Sequence, residues 1–222
     1  MKMRHSALHR TAPFLLAAAM LPLLPACVPV AAVGVSAGAL MIADRRPSET
    51  YITDEGIEIR AANRINERVG DRALVNVTSY NRTVLLTGEV PDAAARADAE
   101  KTAAGTPNVK AIQNELQVAG VSSLSARSND SYLTSKVKAR FVDANKFSPN
   151  HVKEVTEGGA VYLLGLVTKR EADAAVEIAR TTGGVLKVIR VLELISEEQA
   201  RQADNRPAES SGDKKAEPSG KK

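Results

Sequence analysis

The sequence is poor in the residues from which catalytic and metal sites are built. Its 222 residues include one cysteine (Cys27), three histidines and no tryptophan, and only 3% of them are aromatic. A single cysteine cannot form a disulfide within the chain, and with so few histidines it cannot complete a Cys/His zinc site. These absences remove whole classes of chemistry before any motif is considered.

The first 26 residues have the composition of a secretory signal peptide. Lys2, Arg4 and Arg10 provide positive charge without any acid, and an apolar run follows at residues 14–24. The run leads into Leu-Pro-Ala-Cys at residues 24–27, which resembles the bacterial lipobox. In that motif the cysteine is acylated and the peptide before it is removed. We therefore predict a signal peptide at residues 1–26 and a covalent lipid on Cys27.

A retained transmembrane helix is the alternative for this region, because residues 11–43 contain no charged side chain. Four prolines and two glycines interrupt this stretch, which favours the lipid anchor. Val28, rather than an aspartate, follows Cys27. By resemblance to the usual sorting signal, this favours the outer membrane, with the protein facing the periplasm.

Loss of the signal peptide leaves little for catalysis. His5 and His9 leave with it, so a Ser-His-Asp arrangement would require His151, which we interpret as an incidental loop residue beside a proline. Glu154 and Glu157 form a pair of acids that we interpret as exposed strand charges. We predict that the protein is not an enzyme and has no cofactor or metal site.

The charge of the chain is concentrated in its second half. The formal net charge is +4, of which the predicted signal peptide carries three positive charges, so the mature chain is nearly neutral. Residues 119–196 nevertheless contain eleven Lys/Arg against eight Asp/Glu. Nucleic-acid binding is excluded by the compartment and by the scarcity of aromatic residues.

An internal repeat lies between two regions of biased composition. Residues 84–90 read VLLTGEV and residues 161–167 read VYLLGLV, displaced by 77 positions. We predict an acylated tether at residues 27–49, a first domain at 50–119, a second domain at 128–196 and a disordered charged tail at 197–222. Residues 120–127 would allow either a packed or a loose pair of domains.

Each repeat has the order helix, strand, strand, helix, strand. In the first, Thr53-Asp54-Glu55 predicts a helix start, residues 75–90 a hairpin, residues 91–105 a second helix and residues 109–118 a strand. In the second, residues 128–131 offer N-caps, and Gly158-Gly159 predicts the hairpin turn. We predict an α+β fold of two tandem αββαβ domains, each with a three-stranded mixed sheet packed on two helices. We interpret the strand glycines, Gly88 and Gly165, as places where a helix approaches closely.

Each repeat resembles a BON domain. The marks are a helix with a Ser/Thr-x-Lys-Val-Lys pattern, present at residues 135–138, a central x-Val-x-Leu-x-Gly-x-Val strand, present in both repeats, and a final strand opening with Gly-Val, present at residues 184–185. The first repeat departs from the family at its first helix, where residues 61–64 read AANR. Two BON domains behind a lipobox resemble the outer-membrane lipoproteins of this family. The resemblance implies binding of anionic phospholipid, support of the permeability barrier and accumulation at the division site.

The first helix of the second domain offers a face for this function. Tyr132, Lys136 and Arg140 recur at intervals of four, and Lys138 lies at their flank. Tyrosine suits the headgroup boundary, and Lys and Arg present cations to phosphate. The predicted lipid-binding set is Tyr132, Leu133, Lys136, Val137, Lys138 and Arg140, with Leu133, Val137 and Phe141 forming the stripe toward the core.

Two alternatives remain open from the sequence. In the first alternative, the cations of this helix form an ordinary solvated helix face. In the second, the protein is a non-enzymatic adaptor for outer-membrane assembly or envelope-remodelling machinery, with Tyr51, Tyr80 and the sheet edges as contacts. The first domain is expected to bind lipid weakly, because Arg60, Arg64 and Arg68 alternate with Glu58 and Glu67.

Overall fold

The computed structural model describes residues 44–206. The predicted signal peptide, Cys27 and most of the predicted tether and tail lie outside these residues. Within them, two αββαβ units follow one another, and a short helix comes after the second unit. None of the helices in the described range is long and apolar enough to cross a bilayer.

The first unit begins with helix α1 (Ser48–Val69) and a 3₁₀ turn (Gly70–Arg72). Strands β1 (Leu74–Tyr80) and β2 (Thr83–Val90), helix α2 (Ala93–Ala104) and strands β3 (Ala111–Asn114) and β4 (Gln117–Val118) complete it. β1 pairs antiparallel with β2, whereas β3 and β4 both pair parallel with β2 and keep one register. β3 and β4 are therefore one strand, interrupted at residues 115–116.

The second unit repeats this order with an unbroken last strand. It contains helix α3 (Leu124–Ala144), a 3₁₀ turn (Pro149–His151), strands β5 (Lys153–Glu157) and β6 (Ala160–Val167), helix α4 (Lys169–Arg180) and strand β7 (Lys187–Leu194). β6 lies in the centre, antiparallel to β5 and parallel to β7. The predicted α+β class is thus confirmed, with a mixed sheet in each unit.

Each central strand has one face buried against the helices of its own unit. Alternate residues of β2 enter a core with α1 and α2, and alternate residues of β6 enter a core with α3 and α4. Ile57 and Ile65 on α1, and Val137 and Phe141 on α3, are fully or almost fully buried in these cores. The burial of Leu133, Val137 and Phe141 confirms the core-facing stripe predicted for α3 from the sequence.

The opposite faces of the two central strands meet each other. Tyr80 and Leu85 of the first unit share a buried apolar cluster with Tyr162 and Leu164 of the second. Polar bonds join the units as well, since the Asn76 amide donates to Glu157 Oε2 at 2.9 Å. The two domains are therefore a packed pair, which the linker sequence had left undecided.

Both first helices begin earlier than the sequence predicted. α1 starts at Ser48, after Pro47, and α3 starts at Leu124 with Ser123 as its N-cap. The acids taken for helix starts have another role, because Asp54 accepts hydrogen bonds from the backbone N–H groups of Asn81 and Arg82.

Asp130 plays the same part in the second domain, where it accepts from the N–H groups of Gly158 and Gly159, both at 2.9 Å. A short acid in the second or third turn of a helix resembles an N-cap in sequence, but here it closes the turn of the neighbouring hairpin.

The predicted tether and tail are wrong in part. Helix α5 (Glu197–Asp204) occupies the start of the predicted disordered tail and carries a capping box of Ser196 and Gln199. At the other end, Arg45 and Arg46, placed in the predicted tether, are only 4% and 6% exposed. The charged composition of both segments is a poor guide to their structure, because ion pairs within the protein hold them in place.

The strand glycines approach backbone rather than a helix. A Cβ atom on Gly88 would lie 2.0 Å from the carbonyl oxygen of Leu74, and one on Gly165 would lie 2.4 Å from that of His151. The chain that enters the first strand of each hairpin crosses close to the central strand, and only a residue without a side chain leaves room.

Gly165→Ala should lower the free energy of unfolding by about 1–3 kcal/mol, because the backbone at His151 must move to admit the methyl group. Gly120→Ala is the control, since nothing lies within 4 Å of a Cβ there. Urea unfolding measures both. Equal stability of the two variants would show that the close approach is not a constraint.

Candidate functional site

Helix α3 exposes one large aromatic side chain. Tyr132 is 63% exposed, and the Lys136 ammonium lies 6.0 Å from the centre of its ring. Lys136 Nζ also donates to the carbonyl oxygen of Gly183 at 2.8 Å, in the loop that follows α4. An ammonium has three donors, so one such bond fixes the side chain and leaves donors for a ligand.

Arg140 extends this face toward the carboxyl end of α4. Its Nη1 donates to the carbonyl of Ile178 at 2.9 Å and to the Thr182 hydroxyl at 2.8 Å. A cation at this position satisfies carbonyls that a helix end leaves unpaired and complements the helix dipole. Arg140 therefore stabilises the fold and also presents positive charge at the surface.

The loop after α4 adds an apolar residue that the sequence analysis missed. Leu186 is 81% exposed, and its N–H is fixed by the carbonyl oxygen of Gly159 at 2.9 Å. Gly184 of the same loop packs against Leu133, where a Cβ would lie 2.7 Å from Leu133 Cδ2. Leu186 precedes β7, and both Val185 and Val188 pack against the core, so no periodic pattern in the sequence marks Leu186 as exposed.

We call the surface formed by Tyr132, Lys136, Arg140 and Leu186 the α3 face. It combines two exposed apolar groups with two cations that bonds to loop backbone hold in place. Neither acid nor metal ligand belongs to this set. This combination of side chains suits a ligand surface that has anionic groups on the outside and apolar groups beneath them.

Three residues of the predicted lipid-binding set lie elsewhere. Leu133 and Val137 are 3% and 0% exposed, so their side chains belong to the core and cannot contact lipid in this structure. Lys138 points away from the α3 face, donating to the carbonyls of Pro149 and Val152 and pairing with Glu154 at 3.4 Å. Lysines two positions apart on a helix point to different sides, which separates Lys138 from Lys136.

The first domain has the same fold as the second domain but lacks the side chains of the α3 face. The acids that close the hairpin turns, Asp54 and Asp130, are 76 residues apart. The same displacement puts Gly56 at the position of Tyr132 and Lys110 at that of Leu186, so both exposed apolar groups are missing. Arg64, at the position of Arg140, keeps the structural bond by donating to the carbonyl of Gly105 at 2.9 Å.

Other predicted residues are buried at the junction of the domains. Tyr80 is 4% exposed, which removes it as a contact for a partner protein. His151 is also buried, and Nε2 lies 3.5 Å from Asp204 Oδ1, so it is no loose loop residue. Burial and the positive charge of Arg45 lower the pKa of His151.

Glu154 is buried, contrary to the prediction of an exposed strand charge. Its side chain is 5% exposed, and burial raises its pKa to about 7 against the opposing charge of Lys138. It lines a cavity of about 190 Å³ whose charged residues are three acids and three bases, namely Asp44, Glu55, Glu154, Arg46, Lys138 and Lys153. This balance gives the cavity no preference for ligand charge, unlike the α3 face. No cluster of three or more metal-binding side chains occurs in residues 44–206.

Comparison with known proteins identifies the family. The BON domain model matches residues 53–120 and 129–196, so the chain belongs to the BON domain family and contains two such domains. The resemblance seen in the sequence motifs is confirmed.

Two relatives extend this result. The chain is 35% identical over 174 residues to the outer membrane lipoprotein DolP of Haemophilus influenzae, covering 78% of this chain and 90% of that protein. It is 34% identical over 154 residues to the 21 kDa hemolysin of Actinobacillus pleuropneumoniae, covering 68% and 79%. Both matches span most of the relative's length.

Glu154→Gln should remove a pH dependence of stability. The folded chain holds the Glu154 proton more tightly than the unfolded chain does, so the free energy of unfolding falls as pH rises from about 4.5 to about 7. The Gln variant lacks this loss and should gain stability relative to the unaltered chain over that range. Urea unfolding at several pH values measures the difference, with Glu177→Gln on the exposed side of α4 as control. A difference that stays constant with pH would contradict the assignment.

Proposed function

We propose that this protein is an outer-membrane lipoprotein, acylated at Cys27 and facing the periplasm, that binds anionic phospholipid through the α3 face. It supports outer-membrane integrity and acts at division sites. The observation that carries this proposal is the exposure of Tyr132 and Leu186 beside Lys136 and Arg140. The relationship to an outer membrane lipoprotein supports the location.

The energetics favour a membrane surface as the ligand. A cation near an anionic bilayer contributes about 1 kcal/mol, and full burial of a leucine or similar side chain about 1.5–3 kcal/mol. Lys136, Arg140, Tyr132 and Leu186 together therefore supply several kcal/mol. Because the backbone bonds of both cations already hold their side chains, binding costs less conformational entropy than for free lysine or arginine.

The lipid anchor on Cys27 would keep the domains near the membrane. Each buried CH₂ of an acyl chain contributes about 0.8 kcal/mol, so several chains give persistent attachment. The α3 face then does not have to provide affinity on its own. Its proposed role is to orient the second domain on anionic lipid and to select that lipid over neutral lipid.

Of the two domains, only the second is proposed to bind lipid. In the first domain Gly56 and Lys110 replace the two exposed apolar groups, and Lys110 lies 3.8 Å from Glu193 of the second domain. Without an apolar group to insert, the arginines of α1 provide only screened surface attraction.

A protein adaptor is the second candidate function, and one observation favours it. Ile52 and Ile59 on α1 are 63% and 62% exposed, and their spacing of seven residues places them on one side of the helix. An exposed apolar stripe of this kind suits a helix or groove of a partner protein. It lies in the domain that lacks the α3 face, so the two functions use different surfaces.

Tyr132→Ser combined with Leu186→Ser should reduce binding to vesicles of phosphatidylglycerol and phosphatidylcholine about tenfold or more, because two apolar anchors are lost. Co-sedimentation of the unacylated chain, residues 28–222, measures the effect. Added salt should weaken the binding of the unaltered chain, and vesicles of phosphatidylcholine alone should bind little.

The matched control for this pair is Ile52→Ser with Ile59→Ser, which removes apolar groups of similar exposure from the first domain. It should leave vesicle binding unchanged. Lys136→Gln tests the electrostatic part without the loss of the helix-end contacts that Arg140 makes. If the α1 pair weakens binding as much as the α3 pair, the assigned face is wrong.

Cys27→Ser should abolish the anchor. Without a thiol the lipobox cannot be acylated, so the chain should leave the membrane fraction and lose metabolic labelling by fatty acid. A control variant, Ser36→Ala, leaves the thiol in place and should remain in the membrane fraction. Retention of the serine variant in membranes after a high-salt wash would favour an uncleaved helix as the anchor.

A further inference from the structure

Residues 44–47, which we call the strap, join the region of the predicted anchor to α1 and are held by both domains. The two arginines of the strap are adjacent in sequence and nearly fully buried. Buried arginine side chains require partners for their charge and for their several donors. The partners of these two belong to different domains.

Arg45 binds the second domain. Its guanidinium forms a two-bond pair with the Glu171 carboxylate on α4, at 2.6 and 3.0 Å, and donates to the carbonyl oxygen of Leu166 at 3.1 Å. Glu171 is itself buried and accepts from the N–H of Thr168 in the capping box of α4. The strap is thereby fixed at the amino end of α4.

Arg46 binds the first domain. Its guanidinium contacts Asp54 Oδ2 at 2.7 Å and lies over the ring of Tyr80, 3.9 Å from the ring centre. Asp54 is the residue that closes the first hairpin turn. Asp44 completes this side by pairing with Arg46 at 2.6 Å.

The last helix of the described range closes over the strap. Asp204 of α5 accepts two hydrogen bonds from Arg45, at 2.7 and 3.0 Å, and Arg206 donates to the Arg45 carbonyl at 3.4 Å. The side chain of Asp204 is 39% exposed, so this contact is the outer layer of the cluster. These bonds join α5 to the strap, in addition to its direct contacts with His151 and Arg170 of the second domain.

We propose that the strap binds both domains at once, an arrangement that we call the fastening. The fastening holds the anchored end of the chain at the second domain. The first domain follows the strap directly in sequence, yet Arg45 bonds to the second domain. In this arrangement Arg45 is a positioning residue: it fixes the point from which the chain runs toward Cys27 relative to the α3 face. This consequence for membrane orientation rests on the proposed function, whereas the fastening itself does not.

Sixteen residues lie between Cys27 and Asp44. Fully extended, they span at most about 60 Å. The anchor therefore limits the distance of the strap from the membrane, and the bonds of Arg45 convert that limit into a constraint on the second domain. If the strap were not bound to the second domain, the anchor would not restrict the position of that domain in this way.

Arg45→Ala tests the fastening in the chain of residues 28–222, which retains every residue of both cores. Hydrogen exchange should become at least tenfold faster in residues 44–47 and in α5, while β6 stays protected. Spin labels at Glu49→Cys on α1 and Glu177→Cys on α4 should show a broader distance distribution than in the unaltered chain. Unchanged exchange and distances would overturn the proposal.

Asp204→Ala is the milder variant, in case the unpaired Glu171 prevents folding of Arg45→Ala. It removes the bonds from Arg45 to Asp204 and the contact of Asp204 with His151 but keeps the Arg45–Glu171 pair, so exchange in α5 and in the strap should rise while the label distances stay the same. Asp173→Ala is the matched control. Asp173 is also a partly exposed acid that forms ion pairs, but its partners are Lys169 and Arg190 instead of the strap. An equal rise of exchange in the control would overturn the role of Arg45.

Vesicle binding separates this inference from the proposed function. The unacylated Asp204→Ala chain should bind anionic vesicles like the unaltered chain, because the α3 face is intact. If neither chain binds vesicles, the lipid function fails while the exchange result still decides the fastening. If both bind and exchange in the strap is unchanged, the fastening fails alone.

Discussion

The central strand of each domain has buried apolar side chains on both faces, and the arrangement of the molecule depends on this constraint. One face of β2 and of β6 is covered by two helices of its own domain. The other face carries Leu85 in the first domain and Tyr162 and Leu164 in the second, which would be costly to expose to water. Two copies of the same half-covered sheet solve this problem by covering each other. A duplicated domain is therefore packed as a pair rather than strung on a linker.

Burial of this junction changes the chemistry of the charged groups around it. Glu154 loses solvent and its pKa rises to about 7, while Arg45 and Arg46 are neutralised by acids of α1, α4 and α5 and by Asp44 of the strap. Removing one member of such a buried pair is costly because the other remains unpaired. The charge pairs at the junction thus tie the domains, the strap and α5 together, in addition to the apolar cluster.

The two domains share the residues that hold their common fold and differ at the residues of the α3 face. The duplicated frame retains the acids that close the hairpin turns and the arginines that reach the loop after the second helix, since each copy needs them to fold. The positions that do not serve folding are free to differ. Tyr132 and Leu186 occupy two such positions in the second domain, and glycine and lysine occupy them in the first.

The sequence by itself determined the duplication, the αββαβ order and the helix that carries the candidate site, because periodicity and glycine placement are local properties of the chain. It also identified Tyr132, Lys136 and Arg140 as neighbours, since residues four apart on a helix share a face. Only the tertiary structure decided that Leu186 joins them, that Lys138 turns toward Glu154, and that Asp54 closes a hairpin instead of starting a helix. The same holds for the strap and α5, whose charged composition resembles a solvated tail. Each of these outcomes depends on contacts between residues far apart in the chain, and long-range pairing of charges leaves no periodic trace in the sequence.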